Sequence, residues 1–454
     1  MSSIDFRKYH TALEKADILE RAGRVTKIVG LAVEATGPAS KIGDICMMYT
    51  LDGEKSVQAE IVGFREGHTL LMPFGSVEGI GLGSYVLYTG KSLRVPVGKQ
   101  LTGRILDALG NPFDDLPTPE PDAWYPAENV PPNPLARERI HEVLSLGVKA
   151  IDGMLTVGRG QRLGIFSGSG VGKSTLLGMI ARYAVADVNV IVLVGERGRE
   201  VRDFVERDLG EDGLRKSVLV IATSDQPALL RLKCALTGTA IAEYFRDCGY
   251  KVLLLMDSLT RFAMAQREIG MAAGEPPVSR GFPPSVYTLL PKLLERSGMS
   301  DKGSITGLYT VLVEGDDLNE PISDTVRGIL DGHIVLSRAI ANSNHYPPID
   351  VLGSVSRLMP DIVAPDHLEA FGTIKNMIAV YREAEDLINI GAYKHGANPE
   401  IDRAVLLHPS IQSFLKQKQI ESYSFDETLE MLTDIAGSGE RRADKRERRA
   451  DRKS

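Results

Sequence analysis

Residues 163–175, LGIFSGSGVGKST, constrain this chain more than any other stretch. A short apolar run ends in a glycine-rich loop, and the loop enters a helix at Lys173 whose apolar positions include Leu176, Leu177 and Ile180. Loop glycines let backbone N–H groups curl around an anion, an approach that a Cβ would block. The helix N-terminus adds unpaired donors and the positive end of its dipole. The segment therefore predicts a phosphate cradle built from Gly168, Ser169, Gly170, Val171 and Gly172. Lys173 would reach the outer phosphates, the Ser174 hydroxyl would ligate Mg²⁺, and Thr175 continues the first helical turn. Ser167 stands where the pattern has glycine, a position that shapes only the entry of the turn. A ligand-free strand-to-helix turn is the competing reading. The Gly172-Lys173-Ser174 ending, directly after an apolar run, speaks against it. The loop points to a nucleoside triphosphate and is silent on what its energy drives.

A P-loop needs a sheet to carry it. Apolar runs at 188–194, 218–221, 252–256, 309–313 and 334–336 alternate with helical stretches between about 140 and 365. Near-continuous apolar strands predict a mainly parallel sheet covered on both faces, with ligands at the carboxyl ends of its strands. Three residues matter there. Asp257 closes the run Val252-Leu-Leu-Leu-Met256 and can hold Mg²⁺ through water, a role its place downstream of a P-loop favours. Glu196 follows the run ending at Val194 and could orient an attacking water, or simply pair with Arg197 or Arg199. Spacing alone leaves both open. The guanidinium of Arg357 suits charge developing on a transferring phosphoryl group, although nothing in its local sequence sets it apart from a surface arginine.

Around this centre the chain changes character. Residues 1–20 read as an amphipathic helix, with Phe6, Tyr9, Leu13 and Ala16 on one face. The helix either packs on its own body or docks a partner. Residues 21–96 carry short alternating runs punctuated by glycine, and predict a small β-barrel; Val25, Lys27, Val29, Leu31 and Val33 form the first. The nucleotide-binding region is assigned 97–365, with an exposed, structured, proline-rich linker over 117–134. A helical C-terminal domain follows over 366–440, then a charged, disordered tail over 441–454. A net charge of −7 argues against a chain made mainly to bind nucleic acid. A ring RNA translocase would need basic residues beside the barrel aromatics Phe64, Phe74, Tyr85 and Tyr88, and they do not cluster there. Cys46, Cys234 and Cys248 lack metal-ligand spacing and are expected to be core thiols in a reducing compartment. With no signal-like N-terminus and no run able to span a bilayer, a cytoplasmic protein with at most peripheral membrane contact is expected.

Pro347-Pro-Ile-Asp350 followed by Ser354-Val-Ser356 resembles the signature of the rotary ATPase alpha/beta subunits, and the P-loop, Gly195-Glu-Arg197 and the Asp257 strand stand in that family's order. The stretches 257–269, 274–277 with 283–286, and 386–393 narrow the resemblance to the flagellar type III export ATPases and their injectisome kin. The 386–393 stretch argues against a catalytic subunit of an ATP synthase or vacuolar-type enzyme. The resemblance implies a multi-domain α/β fold: N-terminal β-barrel, central P-loop (RecA/F1-like) domain with a mainly parallel sheet, and C-terminal helical domain. It implies hydrolysis of ATP with Mg²⁺ in a homohexameric ring. Glu196 matches the catalytic glutamate, whose presence disfavours an inactive scaffold. Arg357 matches a finger donated by the neighbouring subunit, and Tyr346 the aromatic that stacks on adenine. The N-terminal helix resembles a binding site for a stator-like regulatory protein. The C-terminal helices resemble the part that meets a stalk-like coiled coil and export chaperone–substrate complexes, in a protein peripheral to the inner face of the bacterial membrane.

Overall fold

In a computed structural model of the protein, residues 21–450 are described apart from Glu314 and Asp316, and for 438–450 the backbone alone. The helix expected over 1–20 lies outside the described residues. Two compact units form: 21–93 with 268–276, and 94–267 with 277–450.

The first unit is a closed barrel of β1 (Arg21–Val29), β2 (Ala32–Ala35), β3 (Asp44–Tyr49), β4 (Ser56–Arg65), β5 (His68–Pro73) and β6 (Tyr85–Ser92), in the order β1-β2-β5-β4-β3-β6. Closure between β1 and β6 removes the open edges a small sheet would otherwise expose. Val25, Val33, Cys46, Met48, Ile61, Leu71 and Val86 fill it. The alternation read from Val25 to Val33 breaks at Gly30, whose φ of +57° lets the chain turn into a β1–β2 hairpin. Val29 and Leu31 flank that turn and are exposed.

The second unit is built on a sheet of β7 (Ile105–Asp107), β8 (Arg162–Ser167), β9 (Val188–Glu196), β10 (Ser217–Thr223), β11 (Lys251–Asp257), β12 (Ser304–Leu312), β13 (Gly332–Leu336) and β14 (Val355–Ser356). Their order is β14-β13-β8-β12-β11-β9-β10-β7, and every pair is parallel except β13–β14. All nine residues of β9 are buried, as a strand covered on both faces requires. Helices α1 (Lys149–Met154), α2 (Lys173–Tyr183) and α3 (Ala228–Asp247) flank the sheet. The C-terminal helices α4 (Pro365–Asn389), α5 (Pro399–Leu415) and α6 (Phe425–Ala450) do not pack apart from it: Ile374, Leu407, Phe414 and Leu432 share one core with Ile151 of α1 and Ile180 of α2. Helix α6 runs on to Ala450, so the charged stretch expected to be disordered from residue 441 is helical backbone for ten residues. Cys46 and Cys234 are buried, and burial pushes the Cys46 thiol up to about 12. Cys248 is not a core thiol: it caps the C-terminus of α3 and is exposed.

The proline-rich linker does more than connect. Its segment Ala123–Pro126 pairs with Arg94–Val97. Beyond it, Glu128 takes a 2.8 Å bond from the buried Lys233, Asn129 donates to Glu243, and the Ala127 carbonyl accepts from Arg296. Arg296 and Glu243 form a bidentate pair with both bonds at 2.9 Å, each side chain almost fully buried. Arg296→Met would leave the Glu243 charge uncompensated, and is expected to lower unfolding stability by about 3–5 kcal/mol in urea titration. An unchanged midpoint would show that the linker is not held there.

Candidate active site

Strand β8 ends at Ser167, whose hydroxyl is buried without a hydrogen-bond partner. The loop then turns through Gly170 at φ +75° and Gly172 at φ +95°, a region open to glycine and strained for other residues. Gly172 caps α2, so the first unpaired amides of that helix face the loop. A cavity of about 930 Å³ opens over it, lined by Gly168, Ser169, Gly170, Gly172, Lys173, Ser174, Thr175 and Glu196. Val171 points the other way and is buried in the core.

The charged groups converge at the strand ends. Lys173 Nζ lies 2.5 Å from Asp257 Oδ1 and 3.7 Å from Glu196 Oε1. The Thr310 hydroxyl donates to the same Asp257 oxygen at 2.7 Å. Glu196 reaches this cluster through an irregularity in its strand. Val194 pairs with Ala222 and Glu196 with Thr223, so Gly195, at φ +68°, is an extra residue in the ladder. A bulge of this kind re-aims the side chain that follows it. Burial, then the neighbouring Asp257 charge, push the Glu196 carboxyl up to about 7, with Lys173 pulling the other way. A buried carboxyl poised near neutral pH, beside a phosphate-binding lysine, is suited to water activation.

Tyr346 lies outside this cluster. It lines a second cavity of about 1080 Å³ that shares Gly172 and Thr175 with the first, so the loop is a wall common to both. The ring passes within 3.6 Å of where a Gly172 Cβ would stand. Arg357 is not brought to the cluster at all. It follows β14, its N–H bonds the Asp331 carbonyl at 3.1 Å, and Asp331 in turn pairs with Arg162 at the first residue of β8. The phosphate loop leaves the other end of β8, six residues on, which is about 20 Å away at strand rise. The Arg357 side chain is exposed.

The loop, Lys173, Glu196 and Asp257 thus converge on one cavity at the strand ends of a mainly parallel sheet. Protein-family models extend the picture over most of the chain. The ATP synthase alpha/beta family matches at its β-barrel domain over residues 25–90 and at its nucleotide-binding domain over 147–356, and the T3SS EscN ATPase C-terminal domain matches over 363–434. The flagellum-specific ATP synthase of Bacillus subtilis (strain 168) is 54% identical over 94% of this chain and 98% of its own length.

The chain belongs to the type III export ATPases.

It is an ATP-hydrolysing enzyme of the alpha/beta family. The type 3 secretion system ATPase of Xanthomonas euvesicatoria is similarly close, at 50% identity over 91% of this chain and 94% of its own. The assembled ATPase EscN from the type III secretion system of enteropathogenic E. coli has the same fold, with a TM-score of 0.87 and 47% identity over 91% of this chain and 100% of that one. EscN in complex with its central stalk EscO gives 0.85 at 46% identity over the same shares.

Several residues of this export ATPase's site went unread in the sequence. Thr310 sits mid-strand in an apolar run, and only the β11–β12 pairing sets it against Asp257. Arg261 and Arg267, on one helix over Leu259–Ala273, and Arg338, on another, line the cavity over the loop. Gly195 was the one legible signal missed, since a glycine just before a strand-end carboxylate marks a bulge.

Proposed function

We propose that this enzyme drives flagellar protein export as a homohexamer hydrolysing MgATP at its subunit interfaces. The observation that carries the reading is the placement of Arg357, at the opposite end of the strands from its own phosphate loop. An arginine there serves phosphoryl transfer only on a nucleotide held by a neighbouring subunit, and the assembled state of EscN supports such neighbours. The loop amides and Lys173 hold the phosphates. The Ser174 hydroxyl and, through water, the Asp257 carboxylate, which the Thr310 hydroxyl fixes in place, would hold Mg²⁺, and the ion would supply screening of the phosphate charge. Glu196 orients the attacking water, the neighbour's arginine stabilises the charge of the transition state, and Tyr346 stacks on the adenine.

The water-orienting role requires ionised Glu196. Its carboxyl is raised to about 7 in the free enzyme, so kcat/KM is expected to climb through about pH 7 and level off above it. A profile flat from pH 6 to 8 would remove Glu196 from the role.

Residues 1–20 dock a stator-like regulatory protein in this reading. The C-terminal helices meet a stalk-like coiled coil, as the EscN–EscO complex supports, and export chaperone–substrate complexes. No helix among the described residues is long and apolar enough to cross a membrane. In this reading, attachment to the inner face of the cell membrane runs through the export apparatus.

The 54% identity to a flagellum-specific relative favours the flagellar system, and the 50% identity to a secretion-system ATPase supports an injectisome reading as the second. Expression in a flagellated host lacking its own export ATPase is expected to restore swimming. Restored needle secretion in an injectisome mutant, without restored swimming, would select the second.

A further inference from the structure

The base cavity is walled on one side by the end of α5 and the residues after it, including Gln412, Lys416 and Gln417. Two bonds tether the Tyr346 segment to that wall. The Gln417 backbone N–H donates to the Tyr346 carbonyl at 3.0 Å. Next to Tyr346, the ring of His345 is buried and its Nδ1 lies 2.8 Å from Gln412 Oε1.

Gln412 is itself held. His408, one helical turn earlier on α5, places its Nε2 3.1 Å from Gln412 Nε2. The His408 ring is stacked flat on Tyr381 of α4, with centroids 3.6 Å apart and planes 5° from parallel. An amide has one accepting and one donating end. Gln412 therefore accepts from His345 Nδ1–H and donates to the lone pair of a neutral His408.

We propose that Gln412, clamped between His408 and His345, is a positioning residue that sets Tyr346 for the nucleotide base. The inference rests on the reading of Tyr346 as the stacking aromatic. It places the control of nucleotide affinity in the C-terminal helices. It also makes that control sensitive to acid, because protonated His408 donates from both ring nitrogens. The amide would then have to turn its oxygen to His408 and set its NH₂ against His345 Nδ1, so the present bond is broken and re-forms only if His345 moves its proton to Nε2. Burial holds both histidines below the usual imidazole range, so the relay is intact at neutral pH. The groups facing the relay are Tyr381, Arg382 and Glu385 from α4, Asp350 from the segment after Tyr346, and Lys416 beyond α5. Arg382 and Asp350 are paired at 2.9 Å, which leaves Glu385 as the charge favouring protonated His408.

The test is steady-state MgATP hydrolysis by the full-length protein, with KM and kcat separated, from about pH 5 to 8. Gln412→Leu is expected to raise KM for ATP roughly fivefold, the worth of one hydrogen bond, with kcat within about twofold of the parent. The parent's KM is expected to rise in acid. Gln412→Glu, whose carboxylate accepts from both rings, keeps a parental KM at neutral pH and loses the acid rise. Glu196 is common to all three proteins and cancels in the comparison. An unchanged KM in Gln412→Leu, or an acid rise that persists in Gln412→Glu, overturns the proposal. Tyr346→Ala separates the two layers. If it leaves KM unchanged, the stacking reading fails and takes the relay with it. If it raises KM while Gln412→Leu does not, the relay alone fails. Should the leucine variant melt early, the glutamate variant's pH profile decides.

Discussion

Glu196→Gln is expected to bind MgATP as the parent does and to hydrolyse it about 10²–10⁴-fold more slowly. The substitution keeps the size of a side chain that sits 3.7 Å from Lys173, and it removes the carboxylate that can polarise water. It also removes one negative charge from a cluster in which Lys173 faces both Glu196 and Asp257. Nucleotide affinity should therefore hold or improve while turnover collapses. Equilibrium binding of a fluorescent ATP analogue and single-turnover hydrolysis together decide it. Parental turnover would leave the competing ion-pair reading of Glu196 standing.

Arg357→Ala is the second large effect, a loss of about 10³–10⁵ in kcat if the arginine stabilises the transition state across an interface. The side chain is exposed and, among the described residues, donates a long 3.4 Å bond to the Arg327 carbonyl, so the fold should not notice its loss. The decisive form of the experiment mixes two inactive proteins. Subunits carrying Arg357→Ala keep Glu196, and subunits carrying Glu196→Gln keep Arg357. In random co-assembly about a quarter of the interfaces would hold both intact groups, because a head-to-tail contact takes one group from each side. Activity returning on mixing supports a shared site. Two dead proteins that stay dead would end the shared-site reading, and an Arg357→Ala protein with parental turnover would place Arg357 outside the reaction.

How far the sequence could be read follows from which interactions are local. The phosphate loop was legible because its glycines, lysine and serine act within one turn of chain. The strands at 188–196 and 251–257 were legible because burial on both faces leaves a near-continuous apolar run. The site's supporting parts were not. Thr310 and Asp257 meet only through strand pairing across 53 positions. The edge strand β7 is three residues long, too short to carry a periodic signal. The C-terminal helical domain was legible as a helical region, but nothing local says that Phe414 and Leu432 share a core with Ile151. Arg357 shows the limit best. Its residue type suited the chemistry, yet its distance from the loop depends on β14 running antiparallel beside β13, with Gly332 against Ser356.

That separation has a consequence for assembly. On the proposed reading, with the nucleotide loop at one end of the strands and Arg357 at the other, a lone chain would own two halves of different machines and no whole one. An open row of such chains would always carry one idle loop at one end and one idle arginine at the other. Only closure into a ring leaves nothing idle. A cell could then make this protein ahead of need and lose little ATP to it while the chains stay apart, since each contact between subunits would complete one site and closing the circle would complete the last.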